Sequence, residues 1–160
     1  MDKLILLQKA IGMFEADEAL FFAAAKKAHA AAVHEENIPD NKYDTLSLEA
    51  SYLAQGQADR AQEIRATIAA LRSFVPAAFG EDSTIRLGAL VGLEDGAGSA
   101  RHLFLVPRGG GLRVPWENLE ITLITPESPM GKALLGRRPG DEVELRIENR
   151  RRSFEIVEIC

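Results

Sequence analysis

Residues 124–136 read Ile124-Thr125-Pro126-Glu127-Ser128-Pro129-Met130-Gly131-Lys132-Ala133-Leu134-Leu135-Gly136, and after two arginines the chain continues Pro139-Gly140-Asp141-Glu142-Val143. The local choices agree with one another. Ser128 carries the side-chain oxygen that caps a helix N-terminus. Pro129 suits the first helical position, where its missing N–H would have no partner anyway, and Gly136 suits the end. The stretch predicts a short helix between Ser128 and Gly136, with Pro139-Gly140-Asp141 turning into a strand. Over 142–148 that strand alternates, with Val143, Leu145 and Ile147 inward and Glu144, Arg146 and Glu148 outward, the period of a half-buried strand.

Upstream, 85–93 is a strand candidate ended by Glu94-Asp95-Gly96-Ala97-Gly98, 102–106 a second ended by Pro107-Arg108-Gly109-Gly110-Gly111, and 120–125 a third. Trp116, with Pro115 and Leu119, precedes the third and is expected in the core, since a small domain has few large side chains to spare. Downstream, 153–160 alternates through Phe154 and Ile156, with Val157 and Ile159 as further inward candidates, and Asn149-Arg150-Arg151-Arg152 is expected as the hairpin turn before it. Breakers are rare before this half: up to residue 75 the chain holds only Pro39, Gly12 and Gly56. That shift places a helical domain at 1–75, a linker at 76–82 and an α+β domain at 83–160.

The helical half reads as two long helices. Leu4, Leu7, Ile11, Phe14, Phe21, Ala25, Ala28 and Ala32 follow the three- and four-residue steps of a coiled-coil seam, which Glu18 interrupts. Leu46, Ala50, Leu53, Ile64, Leu71 and Phe74 supply the opposing stripe. Pro39 and its Asn- and Asp-rich surroundings break the two apart at 34–44, and Asp44 or Thr45 suits the N-cap of the second helix. Arms of this size would run about 45 Å at 1.5 Å per residue. The seam changes from Leu, Ile and Phe to Ala toward the turn, which predicts an antiparallel hairpin that slims toward an acidic tip bearing Glu35, Glu36, Asp40 and Asp44.

The 160 residues carry a formal net charge of -5, with 46% hydrophobic and 27% charged residues. This balance argues against broad binding to a nucleic-acid backbone, which needs a dense positive surface. The single cysteine, Cys160, excludes an internal disulfide framework and points to a reducing compartment. The first residues do not read as a signal peptide, and no apolar run approaches the roughly 20 residues that span a bilayer. A cytoplasmic protein is expected.

Pocket chemistry within the chain is not expected. His29 and His34 are five apart, off the helical spacing of metal ligands. Gly109-Gly110-Gly111 lacks the Lys-Ser/Thr of a phosphate loop and reads as a flexible connection. Cys160 has no partner at nucleophile spacing, and no Ser-His-Asp signature occurs. Arg150-Arg151-Arg152 is the densest basic cluster, a solvated turn or part of a partner-facing patch. Lys26, Lys27, Arg60, Arg65 and Arg72 put further positive charge along the helices.

The segment from Ile124 to Gly136, followed by Gly140-Asp141 and Val143, resembles the C-terminal signature of the GreA/GreB transcription elongation factors. The likeness covers roughly the last 80 residues in strand order. The hairpin matches in architecture, with a weaker likeness around Glu49-Ala50-Ser51-Tyr52. The resemblance implies an FKBP-like C-terminal domain without isomerase chemistry that binds RNA polymerase, with Ser128, Pro129, Gly136, Gly140 and Asp141 in the motif region. It implies a coiled coil entering the polymerase secondary channel, and tip acids that help hold a catalytic Mg²⁺ in the polymerase active site. Backtracked RNA is then hydrolysed, so the chain is an accessory factor with no cofactor of its own. Nascent RNA and template DNA are met only within the elongation complex, and a monomer is expected. Family cleavage factors carry an Asp-x-x-Glu arrangement on a tight turn. Here the tip is longer and lacks it, so the order Asp44, Asp40, Glu36, Glu35 is an expectation from the tip acids as a set. A non-cleaving channel occupant, or a factor similar to the regulators of nucleoside diphosphate kinase, is the alternative.

Overall fold

A computed structural model of the chain describes the backbone of residues 1–36 and 41–160 and the side chains of 1–33 and 48–160. Two long helices come first, α1 (Lys3–Glu36) and α2 (Asn41–Ser73). A mixed six-stranded sheet follows: β1 (Leu90–Asp95), β2 (Ala100–Leu105), β3 (Arg113–Trp116), β4 (Leu119–Ile124), β5 (Glu142–Ile147) and β6 (Arg150–Ile159), with the short helix α3 (Pro129–Leu134) between β4 and β5. This is the α+β architecture expected. The chain forms two compact units, one of Ile11–Ala69 and one of Met1–Ala10 with Ala70–Cys160.

In the first unit the helices run antiparallel. Arg65 Nε of α2 donates to Glu18 Oε1 of α1 at 2.8 Å, and further along Ala25 and His29 share a groove with Ala54 and Gln55. Ala25, Ala28 and Ala32 are buried, as are Ala54, Ala61, Ile64 and Ile68. Small residues at these positions let the backbones approach. Glu18 occupies a seam position and keeps 21% of its side chain exposed, so the interruption is resolved as an ion pair at the seam's edge.

Three helical expectations are corrected. Leu4 and Leu53 are 57% exposed, and Leu6, Ala10 and Ala54 are buried instead, while Leu7 is buried as expected. The seven-residue phase through Ala54, Ala61 and Ile68 puts Leu53 one position off the seam, and phase outweighs side-chain size. Helix α2 begins at Asn41, so the backbone of Asp44 and Thr45 lies inside it and not at its N-cap position. An acidic residue near a helix start interacts favourably with the helix dipole without being the cap. Leu46 lies outside the described side chains.

The sheet order is β3-β4-β2-β1-β6-β5. Its ladders are antiparallel except β2 with β4. Val91, Leu93, Leu103, Leu105, Val143, Leu145, Phe154 and Ile156 form the core on one face, closed by Leu134 of α3. Strand β5 buries every second residue as predicted. In β6 the alternation holds through Phe154, Ile156 and Val157, which is 48% exposed and not inward, and fails at Glu158, which is exposed as well. Gly92 pairs with Glu158 and Leu93 with Ile156, so Val157 is the extra residue of a β-bulge, which resets the phase.

Three strand expectations change. The candidate at 85–93 starts only at Leu90. Ile85 pairs through its backbone with Gly136 and Arg137 at 2.8 Å, and the chain then turns at Gly88, whose φ of 91° brings it against Pro76 and Ala77. Residues 113–116 form the edge strand β3, hidden in the sequence by Pro115, which an edge tolerates. Trp116 there is half-buried, with Lys9 Nζ 4.8 Å from its ring centroid. The last hairpin turns at Glu148 and Asn149, with φ of 49° and 65°, and Arg150–Arg152 belong to β6. Two consecutive left-handed residues match a type I′ turn, which suits the twist of the paired strands.

Candidate partner-binding cleft

The signature stretch folds as its chemistry dictates. Ser128 Oγ accepts from Gly131 N–H at 3.0 Å and donates to Thr125 carbonyl at 2.7 Å, so one hydroxyl caps α3 and closes the loop before it. Pro129 occupies the start of the helix. Gly131 has to be glycine: a Cβ there would sit 2.9 Å from the Thr125 carbonyl carbon, 3.0 Å from Pro126 Cα and closer still to the Thr125 oxygen. Gly136, with φ of 79°, ends the element and donates to Ile85 carbonyl.

This docking of α3 on the loop leaves a cleft of about 620 Å³ beside it. Its walls are Leu123, Ile124 and Thr125 of the β4 end, Ser128, Pro129 and Met130 of α3, and Gly110, Gly111 and Arg146. Gly110 packs on Thr125, with a Cβ placed there meeting the threonine methyl at 3.2 Å. The cleft is mostly apolar with an exposed guanidinium at its rim, a chemistry that suits a protein side chain carrying an acid or carbonyl next to an apolar group. Sequence reasoning found Ser128 and Pro129 but missed Gly110 and Gly111, which it read as a flexible connection. Their signal was a run of glycines next to a strand, which also marks close backbone approach.

The other motif residues lie elsewhere in the same unit. Gly140 N–H donates to Ile156 carbonyl at 2.7 Å and Ile156 N–H to Asp141 carbonyl at 2.9 Å. Asp141 Oδ2 accepts from Arg138 N–H at 2.8 Å. These residues, like Gly136, set the backbone path into β5 rather than line the cleft. The tip acids Glu35, Glu36, Asp40 and Asp44 lie outside the described residues or side chains. Among the described residues no group of three or more His, Cys, Asp or Glu converges on a metal position. No described helix is long and apolar enough to cross a membrane.

The first turn of α1 is part of the sheet unit. Lys3 Nζ donates to the carbonyls of Ala77 at 2.5 Å and Gly88 at 3.1 Å and lies 4.6 Å from the Phe79 ring centroid. Arg86 lies 4.7 Å from the same centroid. Burial holds the Lys3 ammonium below its usual pKa. The charge at Cys160 opposes that lowering and Arg86 adds to it.

The family model described as "Transcription elongation factor, GreA/GreB, C-term" matches residues 81–160. Among solved structures, the chain is similar to GreA factor homolog 1 of Thermus thermophilus at 26% identity, covering 96% of this chain and 94% of that one, with a TM-score of 0.43. It is also similar to Gfh1 of Thermus aquaticus at 27% identity, covering 95% and 92%, with a TM-score of 0.39. GreA/GreB from Nitrosomonas europaea follows at 20% identity, covering 82% and 90%, with a TM-score of 0.39. No curated protein matches the sequence.

Proposed function

The chain belongs to the GreA/GreB family of transcription elongation factors, and from that premise we propose that it is an accessory factor of RNA polymerase, acting on the polymerase active site rather than through a pocket of its own. The sheet unit docks on the polymerase through the cleft at Ser128 and Pro129. The α1–α2 pair enters the secondary channel. Carboxylates from the set Asp44, Asp40, Glu36 and Glu35 offer hard oxygen ligands to a Mg²⁺ that the polymerase holds. That assistance speeds hydrolysis of backtracked RNA. The work takes place in the cytoplasm, in contact with nascent RNA and template DNA only through the complex.

The observation that carries the docking step is the apolar cleft walled by the signature segment itself. Pro129 is exposed, so its removal disturbs the surface without emptying the core. The test is cleavage in a stalled, backtracked elongation complex. Added protein should shorten the RNA from its 3′ end in a Mg²⁺-dependent way. Asp44→Ala with Asp40→Ala should abolish that while co-purification with polymerase persists, and Pro129→Ala should weaken co-purification. Absence of stoichiometric polymerase binding would sink the reading.

A second reading is favoured by the tip, which lacks the Asp-x-x-Glu arrangement. It makes the protein a channel occupant that competes with a cleaving factor and adds no hydrolysis. Binding without cleavage, together with displacement of a cleavage-competent factor, is its signature.

A further inference from the structure

The hairpin of β5 and β6 sets like charges opposite each other at both ends. At one end Glu142 pairs with Glu155, which pairs in turn with Glu94 on β1. At the other end Arg146 pairs with Arg151, while Arg152 and Arg150 stand opposite Leu145 and Ile147 on the other face of the ribbon. All four arginines are exposed. Among the described residues none of them forms an ion pair, and Arg146 alone has a side-chain partner, donating to Asn149 Oδ1 at 2.6 Å.

Folding does not call for this arrangement. Directly opposed like charges destabilise the ladder they sit on, and one or two charges suffice to keep an edge strand from pairing with a neighbour. The positive end is made of arginine throughout, and a guanidinium presents a flat fork of donors that matches phosphate oxygens. Arg150 and Arg152 stand about 7 Å apart along one face, two strand residues at roughly 3.4 Å each, and Arg151 points to the other face. No apolar side chain lies among Glu148, Asn149 and Arg150–Arg152. A protein partner would normally anchor on an apolar or aromatic centre, so the tip favours a partner whose surface is charge and ribbon.

We propose that the β5–β6 tip grips the phosphodiester backbone of a nucleic-acid strand. The Glu142–Glu155–Glu94 row, about 14 Å down the strands at roughly 3.4 Å per residue, repels the same polyanion. The strand therefore crosses the ribbon at its tip and does not run along it. This site is separate from the polymerase reading, because the protein alone should show it. It also adds a local basic surface to a chain whose net charge of -5 argues against broad nucleic-acid binding.

The test uses the full chain and fluorescence anisotropy with a labelled single-stranded RNA 12-mer and a duplex DNA 12-mer, from 50 to 200 mM salt, about the range over which phosphate contacts reveal themselves. Arg146 is left unchanged because it also borders the cleft. Three phosphate contacts predict a slope of log K against log salt of about -2 for RNA. Changing Arg150, Arg151 and Arg152 together to Gln should lower affinity at least about tenfold at low salt and flatten the slope. The same charge change at Arg60, Arg108 and Arg137 should leave both in place. Relief of the Arg146–Arg151 opposition should leave the triple variant's melting temperature unchanged or raised, which shows that it still folds. Binding to either nucleic acid with this dependence supports the proposal, and the stronger of the two identifies the source of the phosphates. No binding at 50 mM salt, an equal loss in the control variant, or displacement of RNA by poly-glutamate at matched charge concentration would each overturn it.

Discussion

Replacing Gly131 by Ala is a demanding test of how the signature helix is built. On helix propensity alone, Gly→Ala inside a helix stabilises by about 1 kcal/mol. The structure reverses the sign. The new Cβ would lie 2.9 Å from the Thr125 carbonyl carbon and 3.0 Å from Pro126 Cα, with the Thr125 oxygen nearer still. Relief needs a separation of helix and loop on the order of 1 Å in a region packed like a solid. The Thr125 carbonyl is held by Ser128 N–H at 3.1 Å and Ser128 Oγ at 2.7 Å. Losing both costs about 1 kcal/mol each, and overpacking adds about 1–3 kcal/mol. After the propensity gain the net is a loss of about 2–4 kcal/mol, or a fall of roughly 6–12 °C in melting temperature for a chain of this size. Trp116, the single tryptophan, belongs to the same unit and reports its unfolding by fluorescence. Gly80→Ala, where nothing lies within 4 Å of an added Cβ, is the control and should leave the midpoint in place. A Gly131→Ala protein that melts at or above the wild-type temperature would refute the account of the helix–loop contact.

Three further outcomes follow from particular residues. Glu18→Leu fills the seam position now closed by the Arg65 pair, and should stabilise the helical unit by about 1 kcal/mol through added apolar burial, because an exposed partner makes that pair worth only about 0.2–1 kcal/mol. Unfolding followed by circular dichroism at 222 nm checks it, and a lower midpoint counts against the seam. Glu148→Gly removes a left-handed side-chain conformation at φ of 49° and should raise stability by about 1 kcal/mol; urea titration read at Trp116 gives the number, and a loss would show that Glu148 makes a favourable contact. Because burial lowers the Lys3 pKa in the folded state, the unfolded chain binds that proton more tightly, so stability rises as pH climbs from the folded pKa toward the ordinary 10.5. The stability difference between wild type and Lys3→Met should therefore grow in the wild type's favour across that window, and a flat or falling difference would contradict the burial of Lys3.

The parts of the fold that were legible are those fixed by local chemistry. Ser128, Pro129 and Gly136 announce α3 because capping and termination depend on single side chains. Val143, Leu145 and Ile147 announce β5 because an unbroken alternation admits one assignment. What was hidden depends on pairing across the chain. The bulge at Val157 is created by the register against Gly92 and Leu93, and nothing in 153–160 alone marks it. Strand β3 is an edge held by one neighbour, so its sequence is free to carry Pro115. Ile85 looked like the start of a strand because its apolar neighbours continue to Leu93, yet its partners are Gly136 and Arg137, and the turn at Gly88 separates it from β1. Leu53 is the larger side chain, yet Ala54 holds the seam because phase and not size decides which residue is buried. Of the candidate site, Ser128 and Pro129 were legible as motif residues, whereas the cleft they wall arises from the approach of Gly110 to Thr125, a contact across more than ten residues of chain.

The signature therefore contains two kinds of information that substitution can separate. Gly131, Gly136, Gly140 and Asp141 act on the fold: they permit a close approach, a left-handed turn or a strand pairing. Pro129 and Met130 present side chains to the cleft. Ser128 does both, since the hydroxyl that caps α3 also borders the cleft, so loss of partner binding in a Ser128 variant would not by itself locate the contact. A family match built largely on backbone requirements identifies the fold with more force than the activity. The same split explains why the helical unit resembles the family less in sequence. A seam needs only phase and small side chains, as Ala25, Ala28 and Ala54 show, and many sequences satisfy it. Under the proposed function, what the helices deliver rests on the carboxylates of the 34–44 segment, where the residues depart from the pattern of the family's cleavage factors.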